Sequence, residues 1–257
     1  MKLEGNTILI TGGTSGIGFE LAKQLSSRGN SVIVTGRSQA KLDRAKQELP
    51  ALSIIQGDVS RAEDIDALHA QVLKEFPKLN VLVNNAGVAR ALNLNKQEGT
   101  LEELTQEIDI NFKGPVRLAW RFLPHLKSVP NAAIINVSSG LAFVPLPTMP
   151  IYSATKAALH SFSLSLRIQL KHSAVKVFEI APPTTGTDWI ADLDPEDLKG
   201  IDVMKVDDMV RACLKGLEAD QLEIRPGQSN QLRFMSRLAP GFILAQLSKP
   251  VDRMLEK

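Results

Sequence analysis

The chain of 257 residues contains one cysteine, Cys213, one tyrosine, Tyr152, and only 5% aromatic residues. A single cysteine excludes an internal disulfide and suits a reducing compartment. Four scattered histidines beside that cysteine offer no metal-ligand spacing, so no metal site is expected. Neither sign of charge is in excess. The 30 basic and 28 acidic residues are well mixed and leave +2, which points away from nucleic acid as a partner. No apolar run approaches the roughly 20 residues of a membrane span. Residues 1–6 lead directly toward a strand, without the apolar core of a secretory signal. The expectation is a soluble, cytoplasmic protein.

Apolar residues make up 44% of the chain, enough for a sizeable core. They fall in short runs of Val, Ile and Leu separated by helical patterns. Strands are predicted at 7–11, 31–35, 53–56, 81–84, 132–137 and 175–181, with a seventh at 222–224. Helices are predicted after the turn that ends at Gly18, at 39–49, 62–76 and 101–127, and from Tyr152 to about His172. Strand and helix alternating with short links is the signature of a doubly wound parallel α/β sheet with helices on both faces. No repeat or linker divides the chain. It reads as a single domain, with residues 1–225 forming its main body and 226–257 a helical extension of it.

Two constellations carry chemistry. The first strand ends in a turn with glycines at Gly12, Gly16 and Gly18 that opens a helix. Such a turn aims backbone N–H groups and the positive end of a helix at a pyrophosphate, although glycines also serve plain strand-to-helix turns. The second strand ends in Thr35-Gly36-Arg37-Ser38, with no acid for an adenosine ribose 2′-hydroxyl. Arg37 is therefore read as a 2′-phosphate ligand and NADP(H) as preferred over NAD(H), the alternative being that Arg37 solvates the next helix. The other constellation is Tyr152 with Lys156 one helical turn later. A free phenol titrates near 10, and a nearby cation favours its anion. A lysine, a nicotinamide cation and a dry pocket would together tune Tyr152 as a general acid/base for an alcohol or carbonyl oxygen. Alone, the same spacing fits an ordinary helix.

Thr11 to Gly18, Asp58-Val59, Asn84-Asn85-Ala86-Gly87, Asn111, Ser139 and Tyr152-x-x-x-Lys156 stand in one order. Ser139 lies thirteen positions before Tyr152. This set resembles the short-chain dehydrogenase/reductases over nearly the whole chain. The wording around Ser139–Phe143, Ala154–Ser163 and Ala181–Pro183 is similar to the DltE-type bacterial oxidoreductases. The resemblance implies a single-domain Rossmann-type fold of about seven strands. It also implies an NADP(H)-dependent oxidoreductase interconverting a ketone or aldehyde and an alcohol by hydride transfer. The implied catalytic set is Asn111, Ser139, Tyr152 and Lys156: Tyr152 as proton donor or acceptor, Ser139 orienting the substrate oxygen, Lys156 binding the nicotinamide ribose and lowering the tyrosine pKa, and Asn111 holding a relay water. Ser138 is one position too far from Tyr152 for the serine role.

For the cofactor, the resemblance implies contacts from Gly12, Thr14, Ser15, Gly16, Ile17, Gly18, Arg37, Asp58, Val59, Asn85, Ala86, Gly87, Tyr152, Lys156, Pro182, Thr185 and Thr187. Pro183 stands where the family has glycine, which stiffens that turn and removes an N–H. Residues 184–203 read as a substrate lid, and Leu141, Phe143, Met149 and Trp189 as an apolar substrate pocket. Relatives pair through the helices that carry Asn111 and Tyr152, implying a homodimer or homotetramer. The tail, 231–257, mixes apolar with basic residues and breaks at Pro240-Gly241. It fits a helix pair packing on the substrate loop or a partner subunit, in preference to an interfacial membrane anchor. The rival to an enzyme is a protein that senses NADP(H) without turnover, although a pure binder needs no proton donor.

Overall fold

The computed structural model describes residues 1–187 and 202–256. Its centre is a seven-stranded parallel sheet: β1 (Thr7–Thr11), β2 (Ser31–Gly36), β3 (Ser53–Gln56), β4 (Leu79–Asn84), β5 (Ala133–Val137), β6 (Lys176–Ile180) and β7 (Glu223–Ile224). The spatial order is β3-β2-β1-β4-β5-β6-β7. Alternation within a strand divides the core in two. Ile8 and Ile10 face α1 (Gly16–Ser26), α2 (Gln39–Glu48) and α7 (Val206–Glu218), packing with Leu21, Leu42 and Leu214. Leu9 faces the opposite layer, α3 (Ala62–Glu75), α5 (Gly114–Leu126) and α6 (Pro150–Gln169), among Leu68, Phe122 and Leu166. Both faces of the central strands are covered, which is why they read as unbroken apolar runs.

The differences from the sequence pattern have local causes. β4 begins at Leu79 rather than Val81. Asn80 interrupts the apolar run, but its side chain is buried and bonded to Asn6 Oδ1 (2.9 Å) and the Thr7 N–H (3.0 Å), so pairing extends through it. The helix expected over 101–127 is helical throughout but not uniform. It comprises α4 (Leu101–Ile108), a π turn (Asp109–Lys113) and α5. Pro115 has no N–H to donate to the Asn111 carbonyl in an α-helical ladder. The ladder steps instead to the wider spacing, with the Gly114 N–H donating to the Asp109 carbonyl. A π turn inside an α-helix is a common feature of functional sites, and this one carries Asn111.

The tail forms three helices rather than a pair: α8 (Gln228–Leu238), α9 (Pro240–Ser248) and α10 (Pro250–Glu256). Both Pro240 and Pro250 sit at first helical positions, where a missing N–H costs nothing, and each ends the helix before it. The break at Pro240 is the one the sequence pattern predicts, and Pro250 adds a second. Among the described residues no helix is long and apolar enough to cross a membrane. Trp189 and most of the expected lid lie outside the described residues.

Candidate active site

Between β1 and β4 the chain reverses direction across the sheet, and the strand ends there are left uncovered. A cleft of about 1370 Å³ opens at that point. It runs from the glycine turn, past the ends of β4 and β5, to the tail helices.

At one end, Gly12 and Gly16 adopt left-handed backbone angles (φ +64° and +53°). A Cβ on Gly18 would lie 2.3 Å from the Gly12 carbonyl oxygen, so only glycine allows the chain to fold this closely. Ser15 precedes α1 without capping it through its side chain, which leaves the first-turn N–H groups directed into the cleft. Thr187 covers the turn, its Cγ2 being 3.1 Å from where a Cβ on Gly16 would stand. Thr14, Ile17, Pro182 and Thr185 complete this wall. The Asn84–Gly87 segment clamps the turn from the other side. The Thr11 hydroxyl accepts from the Asn85 and Ala86 N–H groups (both 3.0 Å), and Asn85 Nδ2 donates to the Thr11 and Gly12 carbonyls. Asn85 therefore braces the turn, and with Ala86 and Gly87 it also lines the cleft.

Arg37 lies exposed on the cleft wall, as its place after β2 implied, and Lys41 lies with it. Lys41 was missed by sequence reasoning; its position in the first turn of α2, three residues after the Ser38 cap, was the available signal. Asp58 and Val59 border the same region. The Asp58 carboxylate accepts from the Ser60 N–H (2.9 Å) and hydroxyl (2.7 Å). The buried Thr35 hydroxyl oxygen has no hydrogen-bond partner among the described residues. Uncapped amides, the glycine cradle and two cations fit the phosphates of a dinucleotide, and Thr35 has an unspent polar atom toward it.

At the other end are the four catalytic candidates. β5 delivers Ser138 and Ser139 to the cleft, and Pro150 starts α6 so that Tyr152 and Lys156 fall on one face. Tyr152 is hydrogen-bonded to Ser139, whose Oγ also accepts from the Leu141 N–H at 3.1 Å. The Lys156 ammonium is buried, donates to the Val137 carbonyl (2.9 Å), and sits 5.6 Å from the Tyr152 ring centroid. Asn111 is held from three sides: Oδ1 accepts from the Val88 N–H (2.9 Å), and Nδ2 donates to the Val88 carbonyl (2.8 Å) and Thr155 Oγ1 (3.1 Å). A Cβ on Gly87 would be 3.3 Å from Lys156 Nζ and 3.4 Å from Asn111 Oδ1, so both side chains converge on one point of backbone.

The electrostatics differ from the sequence expectation. Burial pushes the Tyr152 phenol above its usual value; the Ser139 hydrogen bond pulls it down and the Glu107 charge pushes it up, and burial prevails. Lys156 was expected to lower it, but the ammonium points to the Val137 carbonyl and lies at distance over the ring. Burial brings Lys156 itself down to about 8, against a smaller opposing pull from Glu179.

Beneath the serines lies a network that sequence reasoning did not find. Ser138 Oγ donates to Glu179 Oε1 (2.5 Å), and His160 Nδ1 is 2.7 Å from Glu179 Oε2. Glu179 is fully buried on β6 between Phe178 and Ile180, a charge within an apolar run being the one visible signal. Glu179, His160 and Glu223 bring donor atoms within 4.8 Å of one another. Arg225 and Arg233 already pair with Glu223, so that cluster is an ion-pair network that ties β6, β7, α6 and α8 together. Of the expected substrate residues, Leu141 and Met149 line the cleft. Phe143 does not; its ring packs edge-on against His160 (5.1 Å) and under Arg233 (5.0 Å).

The tail also enters the site. A Cβ on Gly140, next to Ser139, would stand 2.7 Å from Ser229 Oγ and 3.1 Å from Leu232 Cδ1, so α8 is seated directly on the serine loop. Leu232, Met235, Ile243 and Leu247 contribute apolar surface to the cleft.

A family model described as short chain dehydrogenase matches residues 6–197. A Bacillus subtilis (strain 168) protein named "Uncharacterized oxidoreductase DltE" is 46% identical over 239 residues, covering 92% of this chain and 94% of that protein. Among solved structures, a Burkholderia cenocepacia J2315 short chain dehydrogenase in complex with NADP has a TM-score of 0.83 at 26% identity, over 97% of this chain and 100% of that one. A Brucella melitensis 3-ketoacyl-(acyl-carrier-protein) reductase complexed with NADH has a TM-score of 0.79 at 27% identity, over 89% and 100%. With the glycine turn, the Ser139–Tyr152 pair and Lys156 meeting in one cleft, and with matches of this extent, the chain belongs to the short chain dehydrogenase family and is an NAD(P)-dependent oxidoreductase.

Proposed function

We propose that the protein reduces a ketone or aldehyde to an alcohol, with NADP(H) preferred over NAD(H) and Tyr152 as the proton donor. The observation that carries this reading is the half-buried Tyr152, hydrogen-bonded to Ser139 beside Lys156, in a cleft continuous with the glycine turn. A bound reduced nicotinamide supplies the hydride. Tyr152 gives its proton to the substrate oxygen, and Ser139 donates a hydrogen bond to that oxygen and orients it. Lys156 keeps a cation 5.6 Å from the Tyr152 ring centroid, and its ammonium would hold the nicotinamide ribose. The π turn presents Asn111 for a relay water between Lys156 and solvent. Arg37 and Lys41 together support recognition of a 2′-phosphate.

Trp120 (72% exposed) on α5 and Ile168 (67%) and Leu164 on α6 are exposed apolar side chains that do not line the cleft. We read these two helices as the contact between copies in a homodimer, or a homotetramer built from such pairs.

Tyr152→Phe is expected to lower NADPH-dependent reduction across a ketone and aldehyde panel by a factor of about 10² to 10⁴, the usual worth of a positioned general acid, with NADPH affinity nearly unchanged. Equal rates in both proteins would refute the mechanism, and tight NADPH binding without turnover by wild type would favour the sensor. Arg37→Asp should reverse the NADPH-over-NADH preference in kcat/KM, reading out at about tenfold or more in each direction; an unchanged ratio would remove Arg37 from cofactor choice.

Lys156→Met should abolish turnover yet raise native stability at pH 7. A lysine lowered to about 8 from 10.5 is charged in both states below pH 8, so its full penalty, roughly 3 kcal/mol at 1.36 kcal/mol per unit, is present there. Between about 8 and 10.5 the unfolded chain holds the proton and the native one does not, so wild-type stability climbs with pH. After the lost Val137 hydrogen bond, a net gain of about 1–2 kcal/mol in urea unfolding at pH 7 is expected, shrinking by pH 10. A variant no more stable than wild type at pH 7 would contradict this. Light scattering is expected to find wild type as a dimer or tetramer and the Trp120→Lys, Ile168→Lys double variant shifted toward monomer; an unshifted assembly would place the contact elsewhere.

A further inference from the structure

Three consecutive residues at the end of β5 are each gripped by a different polar group. The Val137 carbonyl accepts from the Lys156 ammonium (2.9 Å), and the Ser138 hydroxyl donates to Glu179 Oε1 (2.5 Å). Ser139 is hydrogen-bonded to Tyr152. Lys156 and Tyr152 have parts in the reaction. Glu179 has none so far, although keeping a fully buried carboxylate costs the fold stability.

Its surroundings show how that charge is held. β6 pairs with β5 so that Glu179 lies beside Asn136, and Ile180 beside Val137. One carboxylate oxygen takes the Ser138 hydroxyl, and the other lies 2.7 Å from His160 Nδ1. His160 follows Lys156 on α6 at the same four-residue spacing by which Lys156 follows Tyr152, so the three share one side of the helix. The charged groups around Glu179 are Lys156, His160 and Arg167 from α6 and Glu223 from β7. Arg167 is committed to the Val177 and Leu222 carbonyls (3.0 and 2.8 Å), and Glu223 is offset by Arg225 and Arg233. Burial brings the Lys156 pKa down to about 8, and the Glu179 charge opposes that fall. It acts through the field, since the bond made by the ammonium is to Val137.

A purely structural role fits this residue poorly. Buried charges can often be replaced by apolar side chains of similar volume without loss of stability, and Glu179 stands between Phe178 and Ile180 where such a side chain would pack. We propose that Glu179 is a positioning residue of the reductase site: it fixes the serine loop through Ser138 and serves as the remote counter-charge of the Lys156 ammonium, with His160 holding its second oxygen. This rests on the reading of Tyr152, Ser139 and Lys156 as the reducing centre. Glu179 itself touches neither substrate nor cofactor.

The charge is tested by urea unfolding from about pH 7 to 10, without substrate or cofactor. Wild type, Lys156→Met, Glu179→Gln and the double variant are compared. The difference between each lysine protein and its methionine counterpart isolates Lys156, and any effect of Glu179→Gln on His160 cancels. With a native pKa of about 8, wild-type stability climbs above that pH, because the native lysine loses its proton before the unfolded one does. Without the Glu179 charge the native lysine releases its proton more readily, so the climb in the Glu179→Gln pair should begin at lower pH. A climb that begins at the same pH in both pairs would overturn the proposal.

The hold on the serine loop is tested separately. Ser138→Ala leaves every charge in place and should lower kcat for NADPH-dependent reduction about tenfold or more, with NADPH affinity nearly unchanged. Glu179→Asp keeps the charge but is too short to reach Ser138, and should resemble Ser138→Ala while leaving the stability climb where wild type has it. A wild-type kcat in Ser138→Ala would overturn the proposal even where Glu179→Gln does not fold. Because unfolding is read without turnover, a protein that reduces no carbonyl can still show Glu179 acting on Lys156, and a working reductase can fail to show it.

Discussion

Burying the Lys156 ammonium is the constraint around which the site is built. A charge taken out of water needs a partner, and the Val137 carbonyl at the end of β5 supplies one at 2.9 Å. That bond fixes α6 against the strand end and with it the position of Tyr152 over the same cleft. Gly87 comes close to the ammonium from the β4 side, where any side chain would crowd both Lys156 and Asn111. The parallel pairing of β4 with β5 is therefore what brings motifs from three separate stretches of sequence to one point.

The protein around this charge is arranged to tolerate it without neutralising it by direct pairing. Glu179 lies near enough to act on Lys156 through the field, but its carboxylate is engaged by Ser138 and His160. Desolvation favours the protonated phenol, so the two groups are poised in opposite senses: a proton donor kept neutral beside a buried cation kept partly destabilised. Stability given up at a catalytic centre is recovered in the two apolar layers, which fill both faces of the sheet with Val, Ile, Leu and Phe.

The tail gives this shared fold its individual character. Pro240 and Pro250 divide it into short helices that bend around the opening instead of running past it. The seating of α8 depends on Gly140 having no side chain, so one glycine couples the serine loop to the substrate wall. Through Arg233 the same helix is tied to Glu223 on β7, and Arg233 also covers Phe143, which anchors the loop from behind.

The sequence by itself determined the alternation of strands and helices, the parallel doubly wound sheet that this alternation implies, the glycine turn and the Ser139, Tyr152 and Lys156 set. These are encoded by local periodicity and by residue types that few other roles would require. It determined Arg37 as the cation after β2, because that place in the chain is defined by the end of a strand. Tertiary structure decided what depends on distance across the fold. The π turn at Asn111 comes from a proline four residues on, the Ser138–Glu179–His160 network joins three elements, and the pull on the Tyr152 pKa reversed because burial outweighs a lysine aimed elsewhere. It moved Phe143 out of the pocket and brought Leu232, Met235, Ile243 and Leu247 into it. An apolar side chain in sequence states only that it will be covered; which surface covers it is settled when the chain folds back on itself.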